Sequence, residues 1–163
     1  RIPSGKAVDL GAGPGHDAAF LADRGWSVLA VDFSGEALKL AEKTVRAGGQ
    51  QGRVTLREAD VLKLKEPSES FALVFDRGCF HTLAEADRPL YVRQMTRLLQ
   101  PGGKMVLRTF SDQEPAGPGP HRFTKDELEA LWSKAFHFED FREGIFEGPR
   151  KPKAYLALLR KKG

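Results

Sequence analysis

Near the start of the chain stands the stretch Val8-Asp9-Leu10-Gly11-Ala12-Gly13-Pro14-Gly15, which is followed by the segment Asp17-Ala18-Ala19-Phe20-Leu21. An apolar strand therefore leads into a turn with three glycines, and this turn opens a segment typical of a helix. Glycine allows the backbone to adopt left-handed conformations and to approach a ligand closely. The stretch predicts a βα unit that binds a nucleotide-like ligand, rather than a turn that only joins two elements.

Short apolar runs rich in β-branched residues recur along the chain and predict five strands: Ala7 to Leu10, Val28 to Val31, Val54 to Leu56, Phe71 to Phe75 and Met105 to Leu107. Two helices are predicted between some of these strands, because apolar residues recur there three or four positions apart: Leu38, Ala41 and Val45, and then Tyr91, Met95 and Leu98. Gly48-Gly49 and Pro101-Gly102-Gly103 are expected to end these two helices. Strands that alternate with helices predict an α/β fold, with a mostly parallel, doubly wound sheet covered on both faces.

The last third of the chain follows a different pattern. Thr124 is expected to cap a helix, with Glu127 completing a capping box and Leu128, Leu131, Trp132 and Ala135 forming the buried stripe. Two strands are predicted after it, at Phe136 to Phe146 and Ala154 to Leu159. A short turn joins them, so they form an antiparallel pair at one end of the sheet.

Composition limits the classes of protein. The 163 residues are 40% apolar and 29% charged, and no composition break divides them, so residues 1–163 are expected to form a single domain. No apolar run is long enough to predict a membrane span. The first strand follows Arg1 closely, which leaves no room for a signal peptide, and the single cysteine, Cys79, is typical of a reducing cytoplasm. The net charge of +4 permits a nucleic-acid partner but does not favour one, because acidic residues are interspersed with the basic ones.

The sign of the charge near the glycine turn distinguishes two classes of ligand. A dinucleotide-binding turn has the spacing G-x-G-x-x-G/A, but here the sixth position is His16. Asp9 also adds negative charge beside the turn, and a diphosphate would be repelled by it. S-adenosylmethionine carries an ammonium and a sulfonium group and has no phosphate. The turn therefore favours S-adenosylmethionine, with S-adenosylhomocysteine as the product.

Further carboxylates follow the other predicted strands. Asp32 ends the second strand, where it is able to accept hydrogen bonds from a ribose, and Phe33 either lies against an adenine or packs in the core. Asp60 follows the third strand and Asp76 the fourth. Ligands of open α/β sheets bind at the carboxyl ends of the strands, so these carboxylates and Asp9 are expected to border one site.

The chain resembles the class I S-adenosylmethionine-dependent methyltransferases, and among them the small-molecule branch of thiopurine- and tellurite-resistance-type enzymes. The resemblance spans nearly the whole chain and rests on these segments and residues: Asp9 to Gly15, Asp32, Asp60, Asp76-Arg77-Gly78-Cys79-Phe80-His81, Arg88, Tyr91 and Leu98-Leu99-Gln100-Pro101-Gly102-Gly103. It implies a Rossmann-like seven-stranded sheet in the order 3-2-1-4-5-7-6 with the last strand antiparallel. Relatives generally carry an additional N-terminal segment that covers the cofactor. Here the first strand begins within about five residues of Arg1, so either the chain is minimal or truncated, or another element covers the cofactor.

The resemblance also implies roles for single residues. Gly11 and Gly13 approach the methionine part of the cofactor, Asp32 the ribose, and Asp60 with Val61 the adenine. The complete set of expected cofactor contacts is Asp9, Gly11, Gly13, Gly15, Asp32, Phe33, Asp60, Val61 and Arg77.

The expected activity is in-line methyl transfer to a small-molecule acceptor, such as a thiol or a metalloid compound. His81 and Asp76 are the candidate catalytic groups, and Arg77 either attracts an anionic substrate or pairs with Asp76. Cys79 is expected to be a small buried residue rather than a nucleophile. No residue pattern predicts a metal site.

Two alternatives to this function stay open: an RNA or protein methyltransferase, and a cofactor-binding domain without catalysis. An Asn-Pro-Pro-type motif is absent after the fourth strand, which disfavours a base amino group as acceptor.

Overall fold

Strands and α-helices alternate along residues 2–163, the part of the chain that this computed structural model describes; Arg1 lies outside it. The strands are β1 (Lys6–Leu10), β2 (Ser27–Asp32), β3 (Val54–Glu58), β4 (Phe71–Arg77), β5 (Leu99–Phe110), β6 (Phe136–Ile145) and β7 (Lys153–Lys161). The helices are α1 (His16–Asp23), α2 (Gly35–Ala47), α3 (Arg88–Leu98) and α4 (Lys125–Trp132). Among these residues, no helix is both long enough and apolar enough to span a membrane.

The seven strands form one sheet in the order β3-β2-β1-β4-β5-β7-β6. Strands β1 to β5 pair in parallel, whereas β7 is antiparallel to both β5 and β6. The expected order and the antiparallel last strand are therefore confirmed. Parallel pairing brings the carboxyl ends of β1 to β5 to one edge of the sheet.

Helices cover both faces of the sheet, as predicted. On one face, α1 and α2 bury Ala18, Leu21 and Val45 against the strands. On the other face, α3 and α4 bury a larger cluster that contains Met95 and Trp132. Both faces of β1 and β2 are thus removed from water, which explains their continuous apolar runs in the sequence. On the α1 and α2 side, Phe75 of β4 and Val106 of β5 stay half-buried.

Local capping fixes where two of the helices begin. The Ser34 hydroxyl accepts a hydrogen bond from the amide of Ala37 at the start of α2, at 3.2 Å. At the start of α4, Thr124 Oγ1 accepts from the amide of Glu127 at 3.1 Å, and the Glu127 carboxylate accepts from the amide of Thr124 at 2.7 Å. The predicted capping box is confirmed. The buried stripe is narrower than expected, because Leu131 and Ala135 are only half-buried.

Strand β5 is longer than its predicted core of Met105 to Leu107. Helix α3 ends at Leu98, as the segment Pro101-Gly102-Gly103 indicated, but that segment belongs to β5 itself. The register with β4 changes from the pair Phe71–Leu99 to the pair Leu73–Lys104, so the intervening residues bulge out of the ladder. A bulge tolerates proline and glycine, which lets the strand continue through a sequence that reads as a stop.

Candidate active site

The carboxylates that the sequence singled out border the same edge of the sheet. Asp32 ends β2, and Asp76 lies one residue before the end of β4. Asp9 is the fourth residue of β1, whose last residue, Leu10, pairs with Asp76. Asp60 follows β3, and the amide of Ala59 beside it donates to the Asp32 carbonyl at 3.0 Å. The structure thus brings together the groups expected around one site.

The three glycines of the turn are required for different structural reasons. All three have a positive φ, at 65° for Gly11, 51° for Gly13 and 80° for Gly15. A Cβ atom on Gly15 would lie 2.8 Å from the Cβ of Ala41 in α2, so Gly15 lets α1 and α2 pack closely. A Cβ on Gly13 would face open space, with only the Gly11 carbonyl oxygen within 4.0 Å among the described residues. Of the two, Gly13 is the one that leaves room for a ligand.

Asp32 joins the turn to the second strand. Its Oδ2 atom accepts a hydrogen bond from the Gly13 amide at 2.9 Å, and its Oδ1 accepts from the Ser34 amide at 2.9 Å. A carboxylate has about four acceptor positions, so both oxygens can still accept from a ligand hydroxyl. The Asp32 side chain is fixed in place before any ligand arrives.

Asp9 is a buried carboxylate whose hydrogen bonding is incomplete. It is 2% exposed, and its Oδ2 atom finds no hydrogen-bond partner within residues 2–163. Burial, assisted by the nearby carboxylates of Asp17 and Asp76, raises the pKa of Asp9 to about 8. An unpaired buried acceptor is costly. A positively charged ligand above the turn would lower this pKa and pair with the ionised carboxylate, which fits a cationic ligand better than a diphosphate.

Phe33, Asp60 and Val61 lie beyond Asp32 along the same edge. Phe33 is 84% exposed, which rules out the core-packing interpretation of this ring. Asp60 is exposed and caps a short turn at Val61–Lys63, where its Oδ1 accepts from the Leu62 amide at 2.9 Å. Val61 is buried beneath it. An exposed aromatic face and a carboxylate therefore flank this part of the edge.

Asp76 is completely buried, and four hydrogen-bond donors reach its carboxylate. Its oxygens accept from the amides of Gly78, Cys79 and Phe80 at 3.0, 2.7 and 2.9 Å, and from the hydroxyl of Tyr91. Burial raises the pKa of Asp76 to about 6, and these hydrogen bonds act in the opposite direction. The carboxylate thereby fixes the turn after β4. Sequence reasoning gave Tyr91 no such role, although a hydroxyl within an apolar helical stripe is a signal that a buried partner exists.

One ring nitrogen of His81 is committed to the backbone. Nδ1 accepts a hydrogen bond from the Phe110 amide at 2.9 Å, so the proton of a neutral ring resides on Nε2. The ring packs edge-on against Phe110 and beside Phe146, and burial lowers its pKa to about 4. Burial likewise raises the pKa of the Cys79 thiol. Neither side chain presents a basic atom at neutral pH.

Arg77 pairs with Asp17 and Glu147, not with Asp76 as one interpretation of the sequence had it. The Asp17 contact is 3.3 Å long, and Arg108 of β5 binds the same Glu147 carboxylate at 3.0 Å. These residues line a pocket of about 510 Å³ that borders the glycine turn through His16. Within the described residues, no group of three or more His, Cys, Asp or Glu side chains is arranged to hold a metal ion.

Comparisons with known proteins agree with this geometry. The sequence profile of a family described as "Methyltransferase domain" matches residues 7–103, more than half of the chain. The protein named "Probable thiol methyltransferase 2" from Arabidopsis thaliana is 29% identical, with 98% of this chain and 71% of that protein covered. "Thiocyanate methyltransferase 1" from Brassica oleracea is 27% identical over the same shares of the two chains.

Solved structures show the same architecture. A 1,6-didemethyltoxoflavin-N1-methyltransferase from Burkholderia thailandensis, crystallised with S-adenosylhomocysteine, superposes with a TM-score of 0.77 at 26% identity. The match covers 97% of this chain and 71% of that one. A methyltransferase from Methanosarcina mazei has a TM-score of 0.85 at 20% identity, covers 96% and 92% of the two chains, and supports the fold alone. The chain therefore belongs to the methyltransferase domain family, as a class I S-adenosylmethionine-dependent methyltransferase.

Proposed function

We propose that the chain transfers the methyl group of S-adenosylmethionine to the sulfur of a small-molecule thiol, which reacts as its thiolate. The observation that carries this proposal is the state of the groups after β4. Asp76 is saturated with donors, and His81 is a neutral ring whose Nδ1 accepts a backbone amide. An acceptor that already ionises near neutral pH requires no such base.

Five of the expected residues form the cofactor site in this proposal. The unpaired Oδ2 of buried Asp9 favours the positive charge of the cofactor, and Gly13 lets its methionine part lie against the backbone. Asp32 accepts from the ribose hydroxyls with its remaining lone pairs. Phe33 and Asp60 flank the adenine, with the ring against its face and the carboxylate near its amino group.

The remaining expected contacts have less direct support. Gly11 adopts a left-handed conformation next to Cys79, and a Cβ there would lie 3.0 Å from the Cys79 Cβ. The close packing of the turn against α2 already explains the glycine at position 15, without a ligand. Val61 contributes its backbone amide rather than its buried side chain, and Arg77 is held by carboxylates. We therefore rank Asp9, Gly13 and Asp32 first as cofactor contacts.

The chemistry divides between cofactor and protein. When bound, S-adenosylmethionine supplies a methyl group that its sulfonium already activates. The chain holds the acceptor in line and excludes water, a contribution of roughly 7–11 kcal/mol for well-oriented groups. Asp76 keeps the turn from Gly78 to Phe80 in one conformation and is thus a positioning residue. His81 positions the end of β5 through the Phe110 amide.

The names of the relatives support sulfur as the accepting atom. One similar protein is named a thiol methyltransferase and another a thiocyanate methyltransferase, and both align with 98% of this chain. Sulfur nucleophiles also agree with a site whose buried histidine is neutral. His16 lines the pocket and is exposed, so it is the imidazole to examine first if a base is required.

The proposal is tested with three acceptors of one shape. Thiophenol, phenol and aniline differ in the accepting atom, and transfer from labelled S-adenosylmethionine is measured for each at pH 7.5, with RNA as a further acceptor. We expect methylation of thiophenol alone, with a rate that follows ionisation of the thiol. Equal or faster methylation of phenol, aniline or RNA would contradict a thiolate acceptor. In that case, loss of the activity in the His16→Ala variant would identify His16 as the base.

A further inference from the structure

Two arginines lie side by side at the ligand edge of the sheet. Arg77 ends β4, and Arg108 is its paired residue in the parallel strand β5. Both line the 510 Å³ pocket beside the glycine turn. Like charges at paired positions of neighbouring strands repel each other, so this pair of guanidinium groups requires a negative charge between them.

Glu147 supplies that negative charge from the turn between β6 and β7. Its carboxylate binds Arg77 through Oε2, and Arg108 Nη1 donates to Oε1 at 3.3 Å and to Oε2 at 3.0 Å. The Glu147 side chain is nevertheless 66% exposed. Ion pairs of exposed carboxylates contribute little to stability, so another anion can replace Glu147 with only a small loss.

Within the described residues, Arg108 has a carboxylate partner at the pocket only while Glu147 is in place. Asp17 also binds Arg77, at 3.3 Å, so two carboxylates face two guanidinium groups. When Glu147 leaves, the Arg108 guanidinium loses its carboxylate partner, because Asp17 pairs with Arg77 and the Asp76 carboxylate, which also lines the pocket, already accepts from backbone amides and a tyrosine hydroxyl. The pocket floor is apolar and is formed by Phe75, Val106 and Leu156. A molecule with one negative charge and an apolar body matches both features.

We propose that Arg77 and Arg108 form an anion site within the acceptor pocket, and that Glu147 fills it as an internal substitute until an acceptor carrying a carboxylate replaces it. Guanidinium groups bind carboxylates through charge-assisted hydrogen bonds, and Arg77 and Arg108 each donate such bonds to Glu147 here. The inference rests on the proposed function for treating the bound molecule as the methyl acceptor. The carboxylate of the cofactor has the same chemistry, so the experiment separates these two sources.

Benzoate and benzamide are suitable probes because they share a shape and differ in charge. Each is titrated calorimetrically into the wild-type chain at pH 7.5 and constant ionic strength. The same titrations use Arg108→Gln, Glu147→Gln and a matched control, Arg142→Gln, which changes an ion-paired arginine on β6. S-adenosylhomocysteine is titrated into all four proteins.

We expect benzoate to bind more tightly than benzamide in the wild type. Arg108→Gln weakens benzoate binding by about tenfold or more, since it removes a charge-assisted contact. Glu147→Gln strengthens it by roughly threefold to fivefold, because the competing carboxylate is gone. Arg142→Gln changes the affinity for neither probe, and all four proteins bind S-adenosylhomocysteine with the same affinity.

Two results would overturn the inference. Equal binding of benzoate and benzamide would remove the anion site. Weaker S-adenosylhomocysteine binding in Arg108→Gln, with benzoate unaffected, would assign the arginines to the cofactor carboxylate instead of the acceptor. Failure of the proposed function has another signature: benzoate binds as expected, but no thiol is methylated.

Discussion

The hydroxyl of Tyr91 in α3 donates a hydrogen bond to the carboxylate of Asp76 in β4, and both side chains are completely buried. The same carboxylate accepts from three successive amides of the turn that follows β4. Tyr91 therefore links the packing of α3 to the geometry of the turn that follows β4. Its ring lies 5.3 Å from Phe80, so the contact is part of the aromatic core as well.

Removal of the Tyr91 hydroxyl is expected to destabilise the fold while leaving the aromatic packing intact. Hydrogen bonds to charged groups contribute about 1.5–3 kcal/mol, so Tyr91→Phe should lower the free energy of unfolding by about 2 kcal/mol. Urea unfolding measures this change. Tyr155→Phe is the matched control, because Tyr155 donates to the partly exposed Asp112 at 2.7 Å and should lose less. Equal losses of unfolding free energy in the two variants would mean that the buried Tyr91–Asp76 hydrogen bond contributes no more to stability than the more exposed one.

Asp9 is expected to make stability fall as the pH rises. Its pKa is raised from 3.8 to about 8 in the folded chain, so between these values the folded state holds a proton that the unfolded state has released. The contribution is fully present below pH 4 and is lost by pH 8, at up to about 1.4 kcal/mol per pH unit. Urea unfolding of the wild type and of Asp9→Asn from pH 5 to pH 8 should show the wild type losing stability relative to the variant. Parallel pH curves would show that Asp9 is ionised throughout.

His81 is expected to shape the pH dependence of stability but not that of the reaction. Its folded pKa of about 4 lies below the usual 6.5, so its contribution is present above pH 6.5 and is lost as the pH falls towards 4. His81→Gln should lower activity moderately, through displacement of β5, and keep the shape of the pH–rate profile. His137→Gln, at an exposed position of β6, is the control. Loss of a kinetic ionisation near pH 6 in His81→Gln alone would identify His81 as a base.

Phe33 is expected to contribute to cofactor binding and not to stability. The ring is 84% exposed, and stacking of aromatic groups is worth about 0.5–1.5 kcal/mol, so Phe33→Ala should weaken S-adenosylhomocysteine binding by roughly 2- to 12-fold. Leu40→Ala removes another exposed apolar side chain of the same region, at 53% exposure, and should leave binding unchanged. If both variants bind the cofactor equally well, Phe33 does not contact the adenine.

The fold could be predicted because local signals coincide along the chain. Three local signals each fix one connection between elements: the glycine turn after β1, the cap at Thr124, and the short turn before β7. The strand bounds were less predictable: β5 continues through Pro101-Gly102-Gly103, because a bulge next to β4 accommodates residues that usually stop a strand. The prediction that residues 1–163 form a single domain stays a prediction.

The site was only partly predictable, because several of its contacts join distant parts of the chain. Asp32 and the glycine turn could be recognised from their spacing. The pairing of Arg77 with Glu147 could not, since 70 positions separate them and no local pattern relates them. The need for glycine at position 15 could not be predicted either, because it depends on close packing against Ala41 in the next helix.

Calorimetric titration of S-adenosylhomocysteine and of NAD into the wild-type chain and into Asp32→Ala tests the central claim most directly. Asp32 fixes the glycine turn through the Gly13 amide and keeps acceptor positions for a ribose, so its loss should weaken cofactor binding by tenfold or more, on the order of 1.4 kcal/mol. Circular dichroism of the variant should show that the fold is kept. We predict one bound S-adenosylhomocysteine per wild-type chain, clearly weaker binding to Asp32→Ala, and no binding of NAD. Binding of NAD without S-adenosylhomocysteine, or equal S-adenosylhomocysteine affinity in both proteins, would contradict the account.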